Sequence, residues 1–225
     1  MTTSADTAAA RRGRPGYDRR QVLEVAVALF NEQGYDATSV ADLAERLGLS
    51  KSALYHHFAS KEELLAIALE RALSRLEAVL DEALTLDASA ADRLEHVVRG
   101  AVAVLTAELP SVTLLLRLRG NSAVEVAALE RRRLFDQRVT DLVRSAQEEG
   151  RIRPDIDAGV ATRLVFGMVN SVVEWYRPDG RVDPALLAED VLAVALAGLR
   201  PRDMDGGSGH EFDTSSAQPQ RNPLR

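Results

Sequence analysis

The chain has 225 residues, of which 46% are hydrophobic and 28% are charged, and it contains no cysteine. The absence of cysteine excludes disulfides, thiolate metal sites and cysteine nucleophiles, and no apolar run approaches the roughly 20 residues that span a bilayer. The formal net charge of −6 argues against a uniformly basic nucleic-acid-binding protein. It does not exclude a local basic surface, because salt screens distant charges.

A basic surface of this kind is present near the N-terminus. The first 20 residues lack an apolar segment followed by a cleavage site, so we expect no secretory signal. Five arginines lie close together and are opposed only by Asp18. They are Arg11, Arg12, Arg14, Arg19 and Arg20. Because Pro15 and Gly16 interrupt this cluster, residues 1–16 are predicted to form a flexible basic arm; the alternative is an ordinary solvated tail.

The next 70 or so residues carry the periodicity of four helices. The segment RRQVLEVAVALFNEQG predicts the first helix, which Gly34 ends. SVADLAERLG predicts a short helix that starts at the capping residue Ser39 and stops at Gly48, and SKSALYHHF predicts another short helix. Ser60 and Glu63 then form the pattern of a capping box and begin a long helix with leucines along one stripe.

Two further long helices are predicted in the middle of the chain. A capping pair at Ser89 begins a helix that stops near Pro110, and another at Ser122 begins a helix that runs to Gly150. Between them, residues 111–119 form a short helix with a less regular pattern.

The remainder of the chain contains two more predicted helices and a polar tail. Pro154–Asp155 precedes an apolar helix that reaches Trp175, and Asp183–Pro184 begins a last helix that ends near Leu199. Residues 201–225 are rich in Gly, Ser and Pro and are predicted to be disordered. Since no strand pattern of period two appears, the predicted fold class is all-α with about nine helices.

The segment GLSKSALYHHFASKEELL concentrates polar side chains that suit metal binding, catalysis or nucleic-acid binding. His56 and His57 are adjacent on a predicted helix, so their side chains point about 100° apart and do not converge on one ion. The chain contains no nucleophile elbow, HExxH, P-loop or dinucleotide fingerprint. We therefore expect neither enzymatic activity nor a cofactor.

The same segment fits a helix-turn-helix. Its two short helices are joined at Gly48, where glycine tolerates the sharp turn that such a motif needs. Once the leucines of both helices are buried, the outer face of the second helix presents Lys51, Ser52, Tyr55 and His56. These groups can contact phosphates and base edges. The alternative is a plain three-helix bundle whose polar face has no partner.

Residues 17–65 closely resemble the DNA-binding domain of the tetracycline-repressor-like (TetR) family of bacterial regulators. The resemblance rests on F-x-x-x-G-Y-x-x-T-S-V, on L-A-x-x-L-G-L-S-K-S-A-L-Y-H-H-F and on S-K-E-E-L-L. It implies a cytoplasmic homodimer that represses transcription from a double-stranded DNA operator. It also implies that residues 66–200 form a ligand-binding and dimerisation domain.

The resemblance implies DNA contacts for two groups of residues and for the arm. The first group lies on the recognition helix and meets base edges, thymine methyl groups or the nearby backbone: Lys51, Ser52, Ala53, Tyr55 and His56. The second group meets phosphate from the turn before the brace helix and from the start of the fourth helix: Tyr35, Thr38, Ser39 and Lys61. Arg14 resembles the basic arms that enter an adjacent minor groove.

The last two helices are apolar on most sides, which predicts that each packs against several neighbours. Family members dimerise by packing these helices against their mates as a four-helix bundle. The resemblance therefore implies a dimer axis near Gly167, Ser171, Val191 and Ala195. The alternative is that both helices only close the core of one monomer.

Polar or aromatic residues within the apolar helices are candidate ligand contacts. They are Arg117, Arg119, Asn121, Phe135, Arg138, Arg163, Phe166, Asn170, Glu174 and Trp175. An arginine there can pair with an anionic ligand group, but for any single arginine a structural pair with an acidic residue is favoured. The segment VEWYRPDG is similar to one in family branches that sense acyl- or aryl-acyl-CoA thioesters. The other candidate ligand is a lipophilic drug-like molecule, as in members that control efflux.

The leading hypothesis is thus a ligand-responsive repressor that leaves an inverted-repeat operator when a small molecule binds. An acyl-CoA thioester is the suggested ligand. A ligand-independent DNA-binding regulator or an activator is the second hypothesis, and an enzyme is the last.

Overall fold

The computed structural model describes residues 17–200. All regular secondary structure in this part of the chain is helical, as predicted. Its nine helices are α1 (Arg19–Gln33), α2 (Val40–Leu47), α3 (Lys51–His57), α4 (Lys61–Thr85), α5 (Ala90–Ala107), α6 (Leu109–Leu116), α7 (Ala123–Glu148), α8 (Ala158–Trp175) and α9 (Pro184–Ala197). The predictions for the basic arm and for the polar tail fall outside the described residues.

The first three helices form a small unit around one apolar core. Phe30, Leu43 and Leu54, one from each helix, are buried together in it. Gly48 ends α2 with a φ of 62°, in the left-handed region that glycine adopts without a Cβ penalty. Ser50 then caps α3, since its hydroxyl oxygen accepts from the backbone N–H of Ala53. The predicted helix-turn-helix is confirmed.

The helix α4 joins this unit to the other helices and packs against α1, α5, α6 and α7. The hydroxyl oxygen of Ser60 accepts from the backbone N–H of Glu63 at 3.1 Å, as expected of a cap. The predicted capping box is only half formed, however. The carboxylate of Glu63 accepts instead from the backbone N–H of Ala59, at 2.6 Å, because it also pairs with Arg19.

Two predicted helix boundaries are wrong. Pro110 lies in the first turn of α6 rather than at the end of α5. Proline is tolerated there because backbone N–H groups in the first turn make no hydrogen bond within the helix. The short helix predicted over residues 111–119 therefore starts earlier and ends at Leu116. Pro154–Asp155 precedes α8, as predicted, and Asp157 caps it.

The C-terminal helices complete a layered bundle in which α7 packs on α8 and α9 packs on α5. At the bend between α5 and α6, the buried Glu108 pairs with Arg71 at 2.7 Å and with Arg75 at 3.0 Å, both on α4. Within residues 17–200, no single helix is long and apolar enough to cross a membrane. Only α5 and α6 taken together meet that test, and they meet at an angle of 106°.

Candidate DNA-binding surface and internal cavity

The outer face of α3 carries the side chains that the sequence analysis places on DNA. Leu54 points into the core, so helical spacing turns the polar positions around it outward. The exposed set is Lys51, Ser52, Tyr55 and His56, with Ala53 partly covered beside them. Tyr55 is 52% exposed, and the Lys51 side chain makes no hydrogen bond or ion pair to residues 17–200. These groups are therefore available to a partner.

The C-terminal end of α3 is held by Arg19 of α1. The guanidinium lies 4.8 Å from the centroid of the Phe58 ring and pairs with Glu63 at 2.6 Å. The carboxylate of Glu63 also accepts from the backbone N–H of Ala59, between α3 and α4. The contacts of Arg19 and Glu63 therefore tie the end of the recognition helix to α1 and α4. Arg19 is thus occupied within the protein. Arg14, the arginine predicted to enter the minor groove, lies outside the described residues.

Lys61 makes a different contact from the predicted one. Its Nζ donates to the carbonyl oxygens of Tyr35, at 2.9 Å, and of Thr38, at 3.0 Å. The same ammonium lies 4.2 Å from the centroid of the Tyr35 ring. In this arrangement the turn between α1 and α2 binds the Lys61 ammonium, and the phosphate contact of Lys61 stays a prediction.

The predicted phosphate contact of Thr38 is wrong for the side chain. Thr38 is 1% exposed, and its hydroxyl donates to the carbonyl oxygen of Gly34 at 2.8 Å. Ser39 is exposed and caps α2, so its hydroxyl remains at the surface. Tyr35 is half-buried, with its ring edge-on to Phe30 at 5.1 Å between centroids. Of these three residues, Ser39 has the most exposed side chain.

The electrostatic surroundings of Tyr35 favour its neutral phenol. Burial raises the pKa of Tyr35 to about 12, and the carboxylates of Glu62 and Glu125 act in the same direction. The aromatic ring thus remains neutral beside the Lys61 ammonium over the physiological pH range.

Three polar contacts join α1 and the following turn to α6 and the loop after it. The Asn31 side chain donates to the carbonyl oxygen of Pro110 at 2.9 Å, and Arg117 donates to the carbonyl oxygen of Asn31 at 2.9 Å. Asn121 Nδ2 donates to Asp36 Oδ2 at 2.6 Å. Arg117 and Asn121, both predicted as ligand contacts, therefore join the two halves of the molecule in this structure.

A small apolar cavity lies among α4, α5, α6, α7 and α8. Its volume is about 40 Å³, enough for a water molecule or two but not for a metabolite. Phe135 and Phe166 close one side as an edge-to-face pair with 5.5 Å between centroids. The polar groups in its lining are Glu77, Arg132, Asp136 and Asn170.

The cavity brings together three of the predicted ligand contacts, namely Phe135, Phe166 and Asn170. The other predictions are wrong for this cavity. Arg138 pairs with Asp81 of α4 at 2.6 Å, and Trp175 is 50% exposed at the end of α8. The remaining predicted contacts that lie at the surface, away from the lining, are Arg119, Arg163 and Glu174.

Three polar residues of the lining, Glu77, Arg132 and Asp136, were not predicted individually as ligand contacts. Arg132 and Asp136 are one helical turn apart and flank Phe135, within the cationic run ERRRLFDQR. Burial raises the pKa of Asp136, although Arg132 and Arg163 favour its carboxylate. The spacing around Phe135 is the signal that could have identified which arginine of the run faces inward.

The outward sides of α8 and α9 carry large exposed apolar residues. On α8, Leu164 is 63% exposed and shares its face with Gly167 and Ser171, and on α9, Val194 is 65% exposed. By contrast, Val191 and Ala195, which were predicted near a dimer axis, are buried against the core of the same chain. The helix α9 turns that stripe towards α5, which places these two residues inside one protomer.

Residues 22–67 match the bacterial regulatory proteins of the tetR family, and residues 87–199 match the tetracyclin repressor-like C-terminal domain. The HTH-type transcriptional repressor KstR2 of Mycobacterium tuberculosis is 29% identical over 194 residues, which cover 83% of this chain and 95% of KstR2.

Two solved structures are similar over most of the chain. A TetR-family regulator from Streptomyces coelicolor A3 is 48% identical with a TM-score of 0.75, and the match covers 89% of this chain and 96% of that one. AibR, solved in complex with isovaleryl coenzyme A and operator DNA, is 25% identical with a TM-score of 0.64. That match covers 81% of this chain and 98% of AibR.

The raised pKa of Tyr35 predicts a loss of stability at alkaline pH. The folded state holds the phenol proton of Tyr35 more tightly than the unfolded chain does. The contribution of this proton to the stability of the folded state is therefore complete below the ordinary pKa of about 10. The contribution is lost as the pH rises towards about 12. Tyr35→Phe keeps the ring contacts and removes the proton, so urea unfolding at increasing pH should show a shallower alkaline decline.

Tyr55→Phe is the matched control, since that phenol is exposed, and it should retain the wild-type pH dependence. An alkaline decline in Tyr35→Phe as steep as in the wild type would contradict the assigned environment of Tyr35.

Proposed function

We propose that this chain, which belongs to the tetR family of bacterial regulatory proteins and is a DNA-binding transcriptional repressor, acts as a homodimer that a small molecule releases from its operator. The observation that carries the proposal is that α4 adjoins both the recognition helix and the apolar cavity. The helix begins beside the exposed recognition helix, and its later turns form a wall of the apolar cavity. We infer that the repressor acts in the cytoplasm, where bacterial operators are found.

The operator is an inverted repeat read by two copies of α3. Dimeric helix-turn-helix proteins place their recognition helices in successive major grooves, about 34–36 Å apart. In each copy, Lys51 and Ser52 face base edges, and Tyr55 and His56 face the adjacent backbone. A few cations on one face suffice for this despite the net charge of −6, because phosphate neutralisation depends on local contacts.

The dimer forms through the outward faces of α8 and α9. Leu164 and Val194 supply the apolar centre of this surface, and Gly167 and Ser171 allow a close helix approach. Large exposed side chains on two adjacent helices favour association, since obligate interfaces are more apolar than the rest of a protein surface. The dimer axis therefore lies along the side of α9 opposite Val191 and Ala195.

The effector enters the cavity and is an acyl-CoA thioester. The cavity wall is apolar and suits an acyl chain, while Arg132 in the lining can receive an anionic or carbonyl group. The similarity to AibR, whose structure contains isovaleryl coenzyme A, supports this class of ligand. Because the closed cavity holds only about 40 Å³, binding must displace a wall, and that displacement is the signal that releases DNA.

A lipophilic drug-like molecule is the second candidate effector. Most of the lining is apolar, and Arg138, which could have bound an anion, is paired with Asp81. Such a molecule would need no phosphate-binding groups.

The DNA-binding role predicts different salt behaviour for the two lysines. The operator is first selected from random duplexes by the wild-type protein. Lys51→Ala should weaken binding and make the plot of log affinity against log salt shallower by up to about two units per dimer, since each neutralised phosphate contributes nearly one. Lys61→Ala should weaken binding with the slope unchanged, because Lys61 holds the α1–α2 turn.

Arg144→Ala, which removes an exposed cation on α7, is the control for charge alone and should leave both affinity and slope unchanged. A shallower slope in Lys61→Ala would mean that its ammonium leaves the turn and reaches phosphate.

The dimer interface predicts that a charge on the outward face produces monomers. Leu164→Glu and Val194→Glu each place a carboxylate in the apolar centre, where it lacks a partner. Sedimentation analysis should show a dimer for the wild type and a monomer for both variants. Leu134→Glu, at a leucine of similar exposure on α7, should remain dimeric; unchanged dimers of the Leu164 and Val194 variants would refute this interface.

If the effector binds in the cavity, a substitution that fills the cavity should leave operator binding unchanged and abolish release by the effector. Ala101→Val adds two methyl groups to the lining, whereas Ala103→Val adds them on the exposed side of the same helix. Both variants should bind the selected operator as the wild type does. Isovaleryl-CoA or longer acyl-CoAs should release the wild type and Ala103→Val but not Ala101→Val.

Free coenzyme A is the ligand control and should release none of these proteins. Release of the wild type by lipophilic drugs alone would favour the second candidate effector. Undiminished release of Ala101→Val would place the effector outside this cavity.

A further inference from the structure

We propose that Asn121 is a positioning residue for operator binding. From the loop between α6 and α7, it holds the turn that precedes α2. This inference depends on the proposed function. The turn, residues 34–38, leads directly into the brace helix, so its position sets where α2 and α3 lie. Asn121 reaches it across 85 positions of the sequence, through the 2.6 Å hydrogen bond to Asp36.

The turn is anchored from two sides. Lys61, at the start of α4, holds it through the carbonyl oxygens of Tyr35 and Thr38. Asn121, in the loop between α6 and α7, holds it through the carboxylate of Asp36. Lys61 fixes the turn relative to α4, and Asn121 adds a link to the loop after α6, beside the contacts of Asn31 that join the end of α1 to α6.

The backbone of Asn121 is itself held firmly. Its N–H donates to Glu125 at 2.9 Å, and the N–H of Arg119 donates to the other oxygen of that carboxylate at 3.3 Å. Glu125 is 3% exposed, so these bonds form away from water. The side-chain amide of Asn121 therefore extends towards Asp36 from a rigid loop.

Packing around the contact does not explain it. Both Asn121 and Asp36 are exposed, and a groove of about 480 Å³, lined by Asp36, Arg117 and Arg119 among others, opens beside them. The fold is therefore stable without this hydrogen bond, and its effect is on orientation. The loop that carries Asn121 follows α6, whose residues Val112 and Leu115 line the cavity.

The position of the turn matters when both recognition helices must bind at once. In a dimer, a pivoting N-terminal unit changes the separation of the two α3 helices, whereas a single half-site tolerates any separation. Loss of the anchor should therefore weaken binding to the full operator but not to one half-site, and should relax the preferred spacing between half-sites.

The experiment is a double-variant cycle with full-length protein and the selected operator. Asn121→Ala and Asp36→Ala should each weaken full-operator binding by about 3- to 10-fold, as expected for one charge-assisted hydrogen bond. The double variant should be no weaker than either single variant. All three should bind a single half-site as the wild type does, and all should bind operators with one extra base pair between half-sites relatively better than the wild type.

Two controls isolate the effect. Thermal unfolding should stay within about 2 °C of the wild type, since the contact is exposed. Arg99→Ala breaks a similarly exposed ion pair, with Glu189 at 2.7 Å, between α5 and α9. This variant should not alter operator binding. Equal losses on full and half sites, additive single effects, or no loss at all would each overturn the inference. If the wild type itself selected no duplex, the proposed function would fail, which is a different result.

Discussion

The continuity of α4 is the constraint on which the rest of the structure depends. Its 25 residues, Lys61–Thr85, form one helix about 37 Å long. Lys61 in its first turn holds the segment that leads into the brace helix, and about three turns later Leu73 and Leu76 line the cavity. Since a continuous helix is stiff along its axis, a shift of the cavity wall also displaces the end that touches the DNA-binding unit.

Ion pairs set the orientation of α4, and apolar burial supplies most of its stability. Arg131 of α7 pairs with both Glu70 and Glu77, and on another side two arginines of α4 pair with the buried Glu108. Exposed pairs typically contribute about 0–1 kcal/mol each, whereas burying one leucine contributes about 1.5–3 kcal/mol. The pairs instead distinguish one rotational and axial setting of the helix from others that bury equal apolar area.

The elements were predictable from sequence wherever local chemistry decides them. Gly48 ends α2 and the period of the leucines leaves the outer face of α3 exposed, so that surface follows from spacing alone. Contacts between distant segments were not predictable. Lys61 binds backbone carbonyls 23 and 26 positions away, which have no sequence signature. Likewise α9 is apolar on most sides, so periodicity could not show that Val191 faces the core while Val194 faces outward.

The small size of the cavity bears directly on the proposed regulation. A cavity already open to an acyl chain would bind ligand without any displacement of its walls, and the affinity for DNA would not change. In the closed state, Phe135 and Phe166 pack against each other, and separating them costs part of the ligand's binding energy. A ligand overcomes that cost, and shifts the population from one state to the other, only by the difference between its affinities for the two states. A ligand that displaced α6, one of the five helices of the lining, would act on an element whose two ends contact Asn31, through Pro110 and Arg117.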